Sequence, residues 1–267
     1  MASYNYNTDT YMAQIARGEV PGASPMAAFG SVDYTGSATN QIIFPNGSFT
    51  FSYPDQTTGE DVTFVSSTDQ DLVGGTGIAK IHVHYLDVNL EEQYKIITLT
   101  GTTPVTGELS GVRFIQCMHL YSEDDVGTDL SANGNILAYR AGAVTPEDEA
   151  FSIILATNTR CSSSMRMVPK DKVLMMKGAV GSSVSTTADA YANMRIFATE
   201  FGDQKFTTKF VKIPQASIGL QNGSVPYIFP MPLRFTEGTV VGGCFDSNKS
   251  SIVTLTWFGW TENKGAN

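Results

Sequence analysis

The sequence predicts an all-β protein: two antiparallel β-sandwich (jelly-roll-like) domains in tandem, preceded by an N-terminal arm that carries one short helix. Three observations point there. The composition is rich in Gly, Ser, Thr, Val, Ile, Phe and Tyr, punctuated by Pro and Asn, which is the makeup of short strands joined by turns. Strand-like segments recur about every 10 residues with polar turns between them, which favours sandwiches or barrels over βαβ units. Helical periodicity is confined to one stretch near the N-terminus. The 267 residues amount to about two domains.

The arm spans residues 1–30. Thr8 or Asp9 caps a short helix, Tyr11, Met12, Ile15 and Ala16 give it an apolar stripe, and Gly18 ends it. The stretch Val20–Gly30 follows. Its Pro21, Pro25 and glycines argue for an extended segment rather than a strand in a sheet. An isolated helix this short is marginal in water, so the stripe is read as an anchor for a neighbouring subunit or another protein, through Tyr11, Met12, Ile15 and Val20.

The first sandwich is assigned to residues 31–143. Gln41–Phe44 and Ser48–Tyr53 flank the hairpin turn Pro45-Asn46-Gly47. Val62–Ser66 follows. Ile78–Leu86 alternates, with Ile81, Val83 and Tyr85 on one side and His82, His84 and Leu86 on the other. Tyr94–Thr100, Val112–Leu120 and Asn135–Arg140 complete the set. Residues 142–149, GAVTPEDE, mark the boundary. The second sandwich, residues 144–267, reads as strands at Phe151–Ala156, Lys172–Lys177, Met194–Thr199, Lys205–Ile213, Tyr227–Phe229, Val240–Cys244 and Ser251–Trp260. The last is the strongest: Val253, Leu255 and Trp257 share one face, Thr254, Thr256 and Phe258 the other.

Seventeen Lys and Arg against 26 Asp and Glu give a net charge of −9. An acidic surface repels phosphates, so no nucleic-acid partner is expected. No apolar run reaches about 18 residues, so no transmembrane helix is expected. The opening MASYNYNTDT lacks the basic and apolar regions of a signal peptide. Cys117, Cys161 and Cys244 are few, odd in number and far apart. They read as buried thiols rather than a disulfide framework, in keeping with assembly in a reducing cytosol. The Asn-X-Ser sequons at Asn46, Asn222 and Asn248 read as turn residues.

The search for chemistry leaves no catalytic, metal or cofactor assignment. His82 and His84 share a strand face, and a metal would need His119 or a carboxylate as third ligand. Glu123, Asp124, Asp125 and Asp129 form an acidic loop without the spacing of an EF-hand. Gly74-Gly75-Thr76-Gly77 precedes a strand and lacks the Lys-Ser/Thr of a phosphate loop. No G-x-S-x-G elbow is present. Paired carboxylates for glycoside hydrolysis stay open among 26 acids. Trp257, Trp260 and Tyr227 suit a sugar platform, although aromatic residues more often serve core or interface.

The segment IARGEVPGASPMAAFGSVD (residues 15–33) resembles the opening of a family of virion proteins from tailed bacteriophages, many of them marine, in which an arm bearing R-G-x-V-P-G precedes FG. GGTGIAKIHVHYLDVNLEEQYKIITLTGTTPV (residues 74–105) is similar to that family's T-G turn, strand, L-D-x-N, Glu, strand and G-T-T-P-V. GVRFIQCMHLYS, the acidic loop and NGNILAYR resemble its next hairpin. YIFPMPLRFTEGTVV (residues 227–241) resembles its Y-x-x-P-x-P-L-R-F segment, and SSIVTLTWFGW its strand-rich end. The acidic loop departs from the family, where glycine and serine are expected.

The resemblance implies a non-enzymatic structural protein of the virion, assembled in the host bacterial cytoplasm onto the capsid or the head–tail or tail complex, as decoration, collar or fibre base. Its partners would be other virion proteins and further copies of itself as a homo-oligomer. No catalytic residue, metal or cofactor carries over. The alternative is a receptor- or glycan-binding module of the tail using Trp260. A polysaccharide depolymerase ranks last, because the short repeat of a parallel β-helix is missing.

Overall fold

The computed structural model describes residues 8–45, 51–122, 127–143, 149–199, 218–221 and 223–265. Among these residues the chain is almost wholly antiparallel β with one short helix. The elements in order are α1 (Thr8–Ala16), β1 (Ser24–Tyr34), β2 (Ala38–Ile42), β3 (Glu60–Ser66), β4 (Lys80–Leu86), β5 (Glu92–Thr98), β6 (Val105–Val112), β7 (Phe114–Leu120), β8 (Ile136–Arg140), β9 (Ala150–Ile154), β10 (Arg166–Met167), β11 (Lys172–Val184), β12 (Tyr191–Thr199), β13 (Ile218–Gln221), β14 (Gly223–Thr236), β15 (Val240–Ser247) and β16 (Ser251–Asn263). The strand expected at Lys205–Ile213, the first half of Ser48–Tyr53 and the Thr-Pro-Glu-Asp boundary lie outside the described residues.

Two compact units result, and they are nested in sequence. Among the described residues, those up to Ile43 join residues 164–199 and those from Ile218 onward in the first unit, whereas Phe44–Ser163 belong to the second. The division expected at 143/144, with both sandwiches consecutive, is corrected by this. The reason is one long-range pairing. β1 runs antiparallel to β16 over eleven positions, from Ser24↔Thr261 to Tyr34↔Ser251, so the start of the chain completes a sheet made from its end.

The same pairing overturns the arm. Residues 24–34, expected to be extended outside any sheet, are a strand. Pro25 is tolerated because β1 lies at the edge of its sheet, whose order is β1-β16-β11-β14. Gly30 is required by packing. A Cβ there would sit 2.5 Å from the Ser164 backbone nitrogen.

A second sheet of the first unit has the order β10-β15-β12-β13, with β2 also paired to β15. The two sheets share one core. Val32, Leu174, Met176, Val253, Leu255 and Trp257 come from one side, and Met194, Ile196, Val241 and Phe245 from the other. Each fully buried side chain of this size contributes about 1.5–3 kcal/mol. Trp257 is wholly buried, and its indole N–H donates to the Ser164 carbonyl (2.6 Å), so its polar edge is satisfied. β14 forms the other edge of the first sheet. Its register against β11 breaks between Met176 and Gly178, leaving Phe229–Pro232 unmatched, and Pro230 and Pro232 fall in that irregular stretch.

The second unit repeats the scheme with sheets β6-β3-β8-β9 and β5-β4-β7. Val62, Phe64, Leu109, Ile136 and Ile154 from the first meet Ile81, Val83, Ile97 and Met118 from the second. Ile81 and Val83 of β4 face inward between half-exposed His82 and His84, but a register shift against β7 after His84 breaks the alternation, so Leu86, expected on the histidine side, is buried and Tyr85 is half-exposed.

Candidate functional site

The residues expected to grip a partner lie against their own chain. α1 ends as anticipated. Gly18 has φ +73°, a left-handed cap that glycine adopts without cost, and its N–H donates to the Ile15 carbonyl (2.9 Å). Ile15 and Val20 are buried with Trp260 in a small cluster, and Tyr11, Met12 and Met175 pack against it. The Tyr11 and Trp260 rings meet edge to face at 5.7 Å. Glu262 accepts from both, at 3.4 Å from the tyrosine hydroxyl and 3.1 Å from the indole. Tyr11, Met12, Ile15 and Val20 are therefore corrected from partner anchors to internal packing. Trp260, only 3% exposed, is corrected as a sugar platform, since its ring is covered by the helix.

The three histidines do come together. In the β5-β4-β7 sheet His82 stands opposite His119, and His84 stands between Tyr94 and Cys117. The His82 and His119 rings are 5.0 Å apart at 76°. His84 stacks on Tyr94 at 4.3 Å and 16°, and its Nε2 lies 3.3 Å from Glu92 Oε1. His119 Nδ1 bonds the Leu120 carbonyl (2.8 Å). Burial first, then the charges of His119 and His84, hold the His82 imidazole below the usual histidine range. Among the described residues no three His, Cys, Asp or Glu side chains are grouped closely enough to hold a metal ion. Tyr94, Ile96 and Tyr121 are exposed beside these rings, so the face is open, aromatic and titratable.

The carboxylates of the motif segments organise turns. Asp71 is fully buried. It accepts from the backbone N–H of Ile78 and Asn133 at Oδ1 (both 2.9 Å), and from Gly134 N–H (2.9 Å) and Ser66 Oγ (2.6 Å) at Oδ2. The glycine-rich loop thus wraps an internal anion. At Gly77 a Cβ would lie 2.1 Å from Asp71 Oδ1. Asp87, in the L-D-x-N motif, accepts from Asn89 N–H (2.8 Å) and Glu91 N–H (3.0 Å), which closes the β4–β5 hairpin. Glu123, Asp124 and Asp125 lie outside the described residues. Nothing in the sequence marked Asp71 beyond an acid beside glycines.

A cavity of about 180 Å³ is lined by Ser52, Tyr53, Pro54, Asp55, Glu60 and Arg140. Arg140 bonds Glu60 (3.2 Å) and Glu149 (2.6 Å), so its charge is matched twice. Burial pushes the Glu60 carboxyl above its usual range against the pull of Arg140.

The cysteines part company. Cys244 is buried in β15 of the first unit, whereas Cys161 Sγ lies 3.3 Å from Cys117 Sγ in the second. All three are free thiols, with Cys161 and Cys244 buried as expected and Cys117 half-buried.

No family model and no curated protein matches the chain. Among solved structures, a VP2 protein of infectious bursal disease virus in derived T=1 particles is 13% identical, with 96% of this chain and 75% of that chain covered and a TM-score of 0.26. The structure of the Gx strain of that virus is 11% identical, with 92% and 73% covered and a TM-score of 0.26. The VP2 subviral particle of the same virus is 12% identical, with 96% and 78% covered and a TM-score of 0.25. At such TM-scores the likeness carries no argument about fold or role.

Proposed function

We propose that this chain is a non-enzymatic structural protein of a tailed-phage virion, assembled in many copies onto the capsid or the head–tail complex. One observation carries the reading. The segments that resemble the phage family are used as framework. Residues 15–33 form the end of α1 and nearly all of β1, residues 74–105 form the β4–β5 hairpin with the Asp87 turn and supply the Ile78 N–H that Asp71 accepts, and residues 227–241 form most of β14 and the start of β15. Motifs that hold turns and sheets together suit a building block.

The test is to purify particles of a phage that carries this gene, identify their proteins by mass spectrometry and place the chain in a cryo-electron microscopy map. The proposal expects a stoichiometric, ordered component. Absence from purified particles overturns it.

A second reading, receptor or glycan recognition, is favoured by one feature: the exposed Tyr94 and Tyr121 rings beside His82 and His84. It predicts glycan-array binding that is lost on Tyr94→Ala, and a blank array removes it.

A further inference from the structure

Cys117 and Cys161 are 44 positions apart and are brought together by backbone pairing. The segment after β9 runs antiparallel beside β7. Leu120 N–H donates to the Thr159 carbonyl and Cys161 N–H to the Met118 carbonyl, both at 2.8 Å, with His119 and Arg160 bridged. These bonds fix the segment against the strand and set the two sulfurs 3.3 Å apart. A disulfide bond is about 2.05 Å long, so closure asks for a shift of roughly 1 Å. The two thiols differ in access. Cys161 is buried, and its sulfur accepts from Met118 N–H (3.4 Å), whereas Cys117, in register with His84 on β4, is half-buried and packs against the rim of the second unit's core. One thiol that solvent reaches and a second held behind it is the layout of an attacking and a resolving cysteine.

We propose that Cys117 and Cys161 are an oxidisable pair that closes to an intrachain disulfide when the protein meets a small-molecule disulfide such as glutathione disulfide. Cys117, deprotonated by solvent, attacks one sulfur of glutathione disulfide and expels one glutathione thiolate, leaving a mixed disulfide. Cys161, likewise deprotonated, attacks the Cys117 sulfur and expels the second thiolate. The two protons lost by the cysteines are taken up by the two glutathione thiolates. Two protein thiols are oxidised and one glutathione disulfide is reduced. The bridge encloses β8 and β9 and ties the segment after β9 to β7, so it locks the second unit. The chain is then a reduced, open form in a reducing compartment and a stapled form in an oxidising one.

The experiment uses the full chain, incubated with glutathione disulfide and quenched in acid. Intact mass is read first, followed by peptide mapping without reductant. The proposal expects a mass lower by two hydrogen atoms, a linked peptide joining Cys117 to Cys161, and a thermal midpoint raised by about 5 °C. Cys244→Ser leaves all three unchanged. Cys161→Ser stops at a glutathione adduct on Cys117. The wild-type map decides the matter even where a variant folds poorly. A stable glutathione adduct on wild-type Cys117, a bridge to Cys244, or both thiols still open to alkylation after equilibration overturns the proposal.

Discussion

Two clusters of rings, one in each unit, use the same geometry to opposite ends. In the first unit Tyr11 of α1 meets Trp260 edge to face, and Ile15 of the same helix is buried with Val20 against the indole. In the second unit His82 meets His119 edge to face and His84 stacks on Tyr94, yet no described helix covers them and Tyr94 is 60% exposed. The difference lies in the cover. A helix too short to stand alone turns one ring pair into framework. The second cluster has no such cover and leaves the Tyr94 ring exposed.

Four measurements sharpen or break that contrast, from the largest effect down. Trp260→Ala should destabilise the protein by about 4 kcal/mol, through lost burial and the cavity left under α1. Chemical denaturation checks this, and a cost near zero would mean that the helix does not hold the first unit. Asp71→Asn should cost about 2 kcal/mol, because an amide nitrogen would face backbone donors in place of a carboxylate oxygen. The same titration reads that loss as a property of the second unit. Tyr94→Ala should cost less than about 1 kcal/mol, since little of its ring leaves water on folding. A cost as large as that of Trp260→Ala would abolish the contrast.

The smallest effect is on pH dependence. His82 is flanked by His84 on its own strand, His119 on β7, and Tyr94 and Tyr121. Its folded pKa lies below the unfolded value of about 6.5. Between those two values the unfolded chain binds a proton that the folded chain does not. The stability difference between wild type and His82→Gln is therefore constant above about pH 6.5. It shifts against the wild type as pH falls through that window, then levels off below the folded value. Thermal midpoints from pH 8 to pH 5 check the sign, and a shift in favour of the wild type would place the folded pKa on the other side.

The features legible in the sequence are those with a local signature. α1 was marked by its stripe and Gly18, and β16 by alternation over Val253, Leu255 and Trp257. β4 and the shared face of His82 and His84 followed from the same period of two. β1 was hidden because Pro25 and Gly30 are poor strand formers and Pro21 stands just before it. Its strand character comes from eleven residues of pairing with β16 and from the close approach of Ser164 at Gly30. Residue types cannot announce a partner more than two hundred positions away. The nested division of the chain was lost with it. Trp260 read as a surface aromatic because its cover, α1, was assigned to another molecule. Asp71 and the Cys117–Cys161 pair carry no spacing signal at all, since only the folded backbone brings their partners within bonding distance.

The central claim is that the N-terminal segment belongs to the core of its own unit. Hydrogen exchange on the isolated, monomeric chain tests it most directly. Amides of residues 24–34 should be protected to the same degree as those of residues 251–261, because the two strands share one ladder. Exchange of residues 24–34 at the rate of an unstructured peptide, with β16 still protected, would contradict the account and return the segment to the role of an arm awaiting a partner.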